Sequence, residues 1–184
     1  MRAIDNKYIG ASKLRDDFLD VEDPTVSILT SGRREAPTLF RSNGVYRLLV
    51  TETEGWNPSR LHLLNGTHGL KQLPANAATA GSRRNGRLGM AKLPPAFTEA
   101  KSPTPPAVKG AFDSQIAAVI QHCDGKGRPY YIYVADRWNV GPGRTGIEHA
   151  GYVWLPLSTP VGKPVSLQWR QAWDLFDPWN VGTV

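Results

Sequence analysis

The chain has 184 residues, of which 40% are hydrophobic and 21% charged, so it fits one domain with a real core and excludes a wholly disordered chain. Its net charge of +6 comes from mostly scattered Lys and Arg residues, which favours a soluble basic domain over a nucleic-acid partner. The single cysteine, Cys123, excludes an internal disulfide and a cysteine-based metal site, and no apolar run is long enough to span a membrane.

The first part of the chain carries weak secondary-structure signals. Its opening segment, MRAIDNKYIG, lacks the apolar core of a secretory signal. Residues 10–20 are compatible with one short turn of helix. The first strong signal is a β-branched and aromatic run over residues 45–51, entered through the turn-forming sequence Ser42-Asn43-Gly44. We therefore predict a strand over 45–51.

Residues 76–110 differ in composition from the rest of the chain, because Ala, Gly, Pro, Ser and basic residues dominate them. Such a segment buries little apolar surface, and a structureless stretch of this length is uncommon inside a compact domain. We predict a mobile loop or insertion over 76–110, within one domain that spans residues 1–184.

The second half of the chain alternates strand signals with turns. The apolar spacing of residues 112–122 fits a strand or a helix, and their β-branched residues favour the strand. Residues 130–135 and 151–157 are rich in aromatic and β-branched side chains. No rhythm of strand, helix and strand occurs, so the sequence predicts an all-β domain of meandering antiparallel strands.

Tryptophans mark the end of this strand-rich half. Val165, Leu167 and Trp169 alternate with polar residues, which indicates a strand with one buried face. Trp154 and Trp173 lie in or beside similar patterns. We expect Trp154, Trp169 and Trp173 to pack in the core between sheets.

Glu35 is a candidate catalytic acid at the entrance of an apolar strand. Ala36 and Pro37 follow it directly, and such apolar neighbours can desolvate a carboxyl group and favour its protonated form. The alternative is a loop glutamate that pairs with Arg33 or Arg34. The residues alone leave both interpretations open.

A set of motifs carries a resemblance to a known family. In chain order they are EAP with the following turn and strand (35–50), GWNP (55–58), FDSQ (112–115), YYIYVADRWN (130–139), YVWLPL (152–157) and QWRQAWDL (168–175). Together they resemble the later part of a glycoside hydrolase of family 43, in the branch of exo-β-1,3-galactanases (galactan 1,3-β-galactosidases).

This resemblance implies a five-bladed β-propeller, of which the present chain has sequence for only part. A blade of four strands takes roughly 40 to 50 residues, so the chain can supply about three blades. It therefore resembles a C-terminal portion of a longer hydrolase. Such a partial propeller has open strand edges, which favour self-association.

The resemblance also implies catalytic roles. Glu35 matches the general acid of the EAP motif, and the family cleaves with inversion, which requires a water between the acid and the opposite face of the sugar. Gln115 of FDSQ matches a glutamine that holds this water in the galactanase branch, where the usual Asp base can be missing. The alternative for Gln115 is a strand-end amide that satisfies backbone groups, and both remain open.

Candidate substrate-binding residues cluster after the first strong strand and at the end of the 130–135 strand. Trp56 offers an aromatic face for a galactose ring, and Asn57 and Glu54 can hydrogen-bond its hydroxyls. Asp136 and Arg137 either reach the same pocket or form an ion pair that braces the fold, and the bracing pair is the favoured interpretation.

We therefore predict inverting exo-cleavage of β-1,3-linked galactan by a partial hydrolase, with an oligo- or polysaccharide as its partner. The alternative is a non-catalytic carbohydrate-binding or degenerate propeller fragment. No cofactor is expected, and nothing in the sequence supports a metal site or a structural calcium ion. The full-length parent is expected to act outside the cell.

Overall fold

In the computed structural model the chain forms antiparallel β-sheets with very little helix. The structure describes residues 2–4, 8–29, 33–55, 57–66, 97–108, 110–140 and 143–180. The strands are β1 (Arg2–Ile4), β2 (Tyr8–Leu14), β3 (Val21–Leu29), β4 (Arg34–Ser42), β5 (Val45–Glu52), β6 (Leu61–Gly66), β7 (Phe97–Ala100), β8 (Gln115–Cys123), β9 (Pro129–Arg137), β10 (Gly151–Ser158) and β11 (Ser166–Leu167). They form three sheets, ordered β1-β2-β3, β4-β5-β6-β7 and β11-β10-β9-β8. The predicted all-β class is confirmed.

The first sheet contains a strand where the sequence allowed a short turn of helix. β2 covers the first half of residues 10–20 and pairs with both β1 and β3, so the helical interpretation is wrong there. Ile9 and Ala11 of β2 alternate into a buried cluster with Leu48 and Val50 of β5. This period of two is the strand pattern, and tertiary burial outweighs the weak local signal.

The second sheet begins with a tight hairpin. Asn43 and Gly44 both have positive φ, at 49° and 78°, as the mirror-image turns of two-residue hairpins require. The strand predicted over 45–51 is confirmed as β5. β7 lies inside the range 76–110 that is predicted as a loop. This part of the range forms a strand because Phe97 is buried, at 3% exposure, and pairs with Gly66. Residues 76–96 lie outside the described residues.

The third sheet matches the strands predicted in the second half of the chain. β9 and β10 cover the predicted ranges, and β8 covers 115–122 of the predicted 112–122, because Phe112 and Asp113 lie in a left-handed turn before it. Val165 and Leu167 are buried as their alternation indicates. The expected burial of Trp154 and Trp169 is wrong, because they are 50% and 44% exposed. Trp154 lies on the face of β10 opposite to its buried neighbour Val153.

The sheets pack face to face, and the second sheet is covered on both faces. Leu49, Leu61 and Leu63 join a core cluster with residues of the third sheet. Leu48 and Leu64 join the cluster shared with the first sheet. β4 and β8 are in contact as the first strands of the second and third sheets. Their residues Glu35 and Gln115 are thereby brought together.

In the part of the chain that the structure describes, two short helical segments lie outside the strands. Ile147–His149 is a single turn of 3-10 helix. Gly110–Asp113 is a left-handed turn directly before β8. Among the described residues, no helix has the length and apolar character needed to cross a membrane.

Candidate active site

Glu35 lies at the second position of β4, beside an irregularity in the strand. Its Cα pairs with Thr51 of β5, and the register shifts between Glu35 and Thr38. Ala36 has a φ of 50°, which is unusual for a residue with a side chain. Such a bulge twists a strand locally and changes the direction of its side chains. It lies immediately next to the candidate acid.

Gln115 contacts Glu35 directly. Its Nε2 donates a hydrogen bond to Glu35 Oε1 at 2.7 Å and lies 3.3 Å from Thr51 Oγ1. Thr51 is fully buried. Among the described residues Glu35 forms no ion pair with an arginine, and Arg34 pairs instead with Glu52 at 3.5 Å. The structure thus brings together the acid and the amide that the sequence singled out.

A strained turn holds Gln115 in place. Gly110, Ala111, Phe112 and Asp113 have φ angles of 50°, 46°, 64° and 64°. A left-handed backbone costs roughly 1 kcal/mol or more for each residue with a side chain. Such strain persists only where surrounding contacts fix the backbone, and this turn ends two residues before Gln115.

Ser114 connects this turn to the core of the third sheet. Its backbone N–H donates to Gly110 O at 2.9 Å, and its hydroxyl donates to Ala111 O at 2.6 Å. The same hydroxyl lies 3.2 Å from the phenol oxygen of Tyr133. Tyr133 is fully buried, and this burial raises the pKa of its phenol well above the usual range. The turn is therefore tied to a neutral, buried hydrogen-bonding partner.

A cleft of about 980 Å³ is lined by residues of the segments 52–60 and 99–113, and neither Glu35 nor Gln115 is among them. Its lining includes Glu54 and Asn57, two of the predicted substrate-binding residues. They are joined in a turn, because the backbone N–H of Asn57 donates to Glu54 O at 3.3 Å. The third residue of that group, Trp56, lies outside the described residues.

A smaller pocket next to the cleft contains Gln115 and Asp136. The two residues are direct partners in the pairing of β8 with β9. Pro58 and Asp113 line both this pocket and the cleft, so the two spaces adjoin. Asp136 and Gln115 thus line the same small pocket.

The ion pair expected between Asp136 and Arg137 is not among those formed by the described residues, so the bracing interpretation is wrong. Consecutive residues of a strand point to opposite faces. The guanidinium of Arg137 stacks over the ring of Trp169, with 5.2 Å from Cζ to the ring centroid. Arg144 and Asp113 form an ion pair near the small pocket instead.

No sequence pattern predicts the buried histidine that lies between two carboxylates of the cleft wall. His62 is 5% exposed, with Nδ1 2.6 Å from Glu99 Oε1 and Nε2 2.8 Å from Glu52 Oε1. The hydrogen bond from His62, assisted by the charges of Arg34 and Arg60, holds the pKa of Glu99 below its usual value.

In the described part of the chain, no three His, Cys, Asp or Glu side chains form a group able to hold a metal ion. Of the carboxylates that line the cleft, those of Glu52 and Glu99 contact His62, and that of Asp113 pairs with Arg144.

No protein-family model matches the sequence, and no curated protein matches it. Solved structures do match. A family 43 β-1,3-galactosidase is 24% identical with a TM-score of 0.68, and the match covers 94% of this chain and 30% of that one. An exo-β-1,3-galactanase from Clostridium thermocellum is 21% identical with a TM-score of 0.66, and the match covers 90% of this chain and 30% of that one.

A third match is an exo-β-1,3-galactanase from Phanerochaete chrysosporium solved with β-1,3-galactotriose. It is 22% identical with a TM-score of 0.60, and the match covers 92% of this chain and 31% of that one. The resemblance to family 43 galactanases stated from the motifs is therefore confirmed at the level of the fold. The chain spans about 30% of the length of these three proteins.

Proposed function

We propose that the chain is part of an inverting glycoside hydrolase of family 43 type that removes sugars from the end of β-1,3-linked galactan. The observation that carries this proposal is the 2.7 Å hydrogen bond between Glu35 and Gln115, in a chain whose fold is similar to solved exo-β-1,3-galactanases. In this proposal the three sheets are three blades of a five-bladed propeller.

Glu35 serves as the general acid and gives its proton to the oxygen of the leaving sugar. Gln115 orients a water molecule for attack on the anomeric carbon, because an amide is too weak a base to take the proton outright. The attacking water therefore releases its proton to solvent as its oxygen bonds to the anomeric carbon. Inverting enzymes keep the acid and the water-directing group roughly 6.5–9.5 Å apart. The present direct contact leaves no space for water, so the incoming sugar must separate Gln115 from Glu35.

Substrate contacts are proposed for the groups around this pair. Glu54 and Asn57 line the cleft, and Asp136 lies in the small pocket with Gln115. This lining supports a proposed role for all three in binding hydroxyls. Trp56 is proposed as a stacking platform from its motif alone. Arg137 is a weaker candidate, because its guanidinium is already stacked on Trp169.

The rest of the ring must come from elsewhere if the site is to be complete. Further polypeptide or another copy of the chain would supply the remaining blades, and we propose self-association as the route open to this chain alone. We propose that a full-length parent acts outside the cell and hydrolyses galactan as an oligo- or polysaccharide.

A non-catalytic carbohydrate-binding fragment is the second candidate function. The observation that favours it is that the chain covers only about 30% of the length of the matched proteins. Catalytic groups that those proteins carry outside the matched part would then be missing from this chain. A fragment of this kind keeps the cleft and its hydroxyl-binding groups but does not turn over substrate.

Hydrolysis of β-1,3-galactobiose by the purified chain and by Glu35→Gln tests the proposal. We expect turnover in the wild type and a loss of at least about 100-fold in the variant, because a positioned acid contributes that much or more. Glu148→Gln, a change at an exposed carboxylate, is the matched control and is expected to keep full activity.

The outcomes separate the two candidate functions. Binding of galactobiose without turnover supports the binding fragment and overturns hydrolysis by this chain. Equal activity in the wild type and Glu35→Gln overturns the role of Glu35.

A further inference from the structure

We propose that Tyr133 is a positioning residue for Gln115 and acts through the hydroxyl of Ser114. The catalytic importance of this role rests on the proposed function, because there Gln115 directs the attacking water. The role adds two residues that belong neither to the hydrogen-bonded pair nor to the lining of the cleft.

The hydrogen bonds of the Ser114 hydroxyl run in one direction. The hydroxyl has a single proton, and the carbonyl oxygen of Ala111, at 2.6 Å, can only accept. The phenol of Tyr133, whose oxygen lies 3.2 Å from Ser114 Oγ, is therefore the donor of the second bond. Donation requires a neutral phenol, and burial favours that form because it raises the pKa of Tyr133.

Tyr133 is the fixed end of this chain of hydrogen bonds. Its backbone pairs with Val119 of β8 and with Leu155 of β10, and its side chain is fully buried in the core cluster between the second and third sheets. Among the described residues, its phenol oxygen forms no hydrogen bond other than the one with Ser114. Packing thus holds the ring, and the hydroxyl acts on Ser114.

The other end of the chain of hydrogen bonds is a backbone that needs support. Ala111 has a φ of 46°, and a left-handed backbone is unfavourable for a residue with a side chain. The bond from Ser114 Oγ to the Ala111 carbonyl closes this turn, together with the bond from the Ser114 N–H to Gly110 O. Ser114 is 1% exposed, so water does not replace these bonds.

The position of Ser114 determines where the amide of Gln115 lies. Successive Cα atoms are about 3.8 Å apart, so a shift of Ser114 is passed directly to Gln115. The amide nitrogen of Gln115 lies 2.7 Å from Glu35 Oε1 and 3.3 Å from Thr51 Oγ1. A displacement of about 1 Å can cost roughly 100-fold in rate. A fixed backbone therefore limits the movement away from Glu35 to the side chain of Gln115.

The side-chain amide of Gln115 reports this positioning without any need for turnover. Its NMR signals are identified by their loss in Gln115→Ala, and the exchange of its protons with solvent is then measured. We expect Tyr133→Phe to speed this exchange roughly 5- to 10-fold, because the lost hydrogen bond loosens the contact with Glu35. The substitution keeps the buried ring, so the variant is expected to fold.

Tyr130→Phe is the matched control. Tyr130 is 4% exposed on the same strand, and its hydroxyl donates to the backbone oxygen of Leu175 at 2.7 Å. The control therefore removes a comparable bond that leads to the C-terminal segment instead of the turn. It should change the exchange of Gln115 less than about 2-fold.

Ser114→Ala separates positioning from general stability. It removes both bonds of the hydroxyl, so it should speed the exchange of Gln115 at least as much as Tyr133→Phe does. The double variant should exchange like Ser114→Ala alone, because the phenol acts on the turn only through the Ser114 hydroxyl. A merely structural role would make the two effects add.

Hydrolysis of β-1,3-galactobiose gives a second readout. We expect Tyr133→Phe to lower kcat roughly 10-fold and to change KM less than about 2-fold, because it misplaces the amide that directs the water but leaves the sugar contacts. Tyr130→Phe should keep both values.

Equal exchange in the wild type and Tyr133→Phe, or equal changes in Tyr133→Phe and Tyr130→Phe, would overturn the inference and leave the proposed function standing. In a chain that hydrolyses galactobiose, an unchanged kcat for Tyr133→Phe would overturn it as well. A chain without turnover that shows the expected exchange would support the positioning of Gln115 and overturn hydrolysis by this chain. The two failures are thus distinguishable.

Discussion

Asp124 shows how one carboxylate can organise a turn between two strands. Its Oδ1 accepts from the backbone N–H groups of Arg128 and Lys126 at 2.9 Å, and its Oδ2 accepts from Arg128 Nε at 2.7 Å. The backbone bond from Arg128 contributes most to holding the pKa of Asp124 below its usual value, and the other contacts add to it. The charged carboxylate is therefore the form that stabilises the β8–β9 turn.

This pKa shift predicts an acid-dependent loss of stability. A carboxyl group with a lowered pKa in the folded state stabilises fully above its unfolded pKa of about 3.9. That stability is lost as the pH falls through the lower folded value. We expect Asp124→Asn to unfold at lower urea concentration at neutral pH and to lose less stability between about pH 5 and pH 2.

Urea unfolding followed by tryptophan fluorescence at several pH values measures this difference. Asp16→Asn, a change at an exposed carboxylate, is the control and should keep the wild-type profile. Parallel pH profiles for Asp124→Asn and the wild type would contradict the prediction.

Single residues of the site differ in how far the sequence reveals them. Glu35 and Gln115 were predicted because each lies in a short motif, and the structure brings them within hydrogen-bonding distance. His62 and Glu99 carry no such motif. They meet only because β6 and β7 pair across 37 residues of sequence, and local pattern contains no information about that register.

At the scale of the element, the left-handed turn Gly110–Asp113 depends on its glycine. A Cβ on Gly110 would lie 2.7 Å from the backbone carbon and 2.8 Å from the backbone oxygen of Pro58. These atoms belong to the wall shared by the cleft and the small pocket. A larger residue must therefore displace the turn or the segment around Pro58.

We expect Gly110→Ala to lower the free energy of unfolding by about 3 kcal/mol, through the steric clash added to left-handed strain. Gly127→Ala is the matched control, because Gly127 has a φ of 74° and open space around its Cα. That control should cost about 1 kcal/mol. Chemical denaturation measures both values, and equal costs would contradict the steric argument.

Sequence patterns predicted the strands well where the residues are β-branched or aromatic, as in β5, β9 and β10. They missed β7, because the surrounding range 76–110 has the composition of a loop and only Phe97 is deeply buried in that strand. They also misassigned Trp154. Alternation shows that a strand has two faces, but which face becomes covered depends on the neighbouring sheet.

At the scale of the whole molecule, the outer face of the third sheet is only partly covered. The C-terminal segment shields one end, where Trp173 and Trp179 pack edge-on against Tyr130 at 6.5 and 6.2 Å between ring centroids. At the other end Tyr152 and Trp154 are 76% and 50% exposed. The second sheet, by contrast, has a core cluster on each face.

This uncovered face predicts self-association of the isolated chain. Exposed aromatic side chains at alternate positions of one strand form a contiguous apolar surface, and such surfaces mark interaction sites. We expect the mass measured by light scattering after gel filtration to rise with protein concentration. The double substitution Tyr152→Lys with Trp154→Lys should shift the chain toward the monomer, because two charges would then oppose burial of this face.

Val161→Lys is the matched control for that experiment. Val161 is 81% exposed in the turn between β10 and β11, so the substitution adds one lysine charge outside the aromatic pair. It should leave the concentration dependence unchanged. A wild-type chain that stays monomeric at all concentrations would contradict the prediction. Equal dissociation of both variants would show that net charge, and not the face of β10, controls assembly.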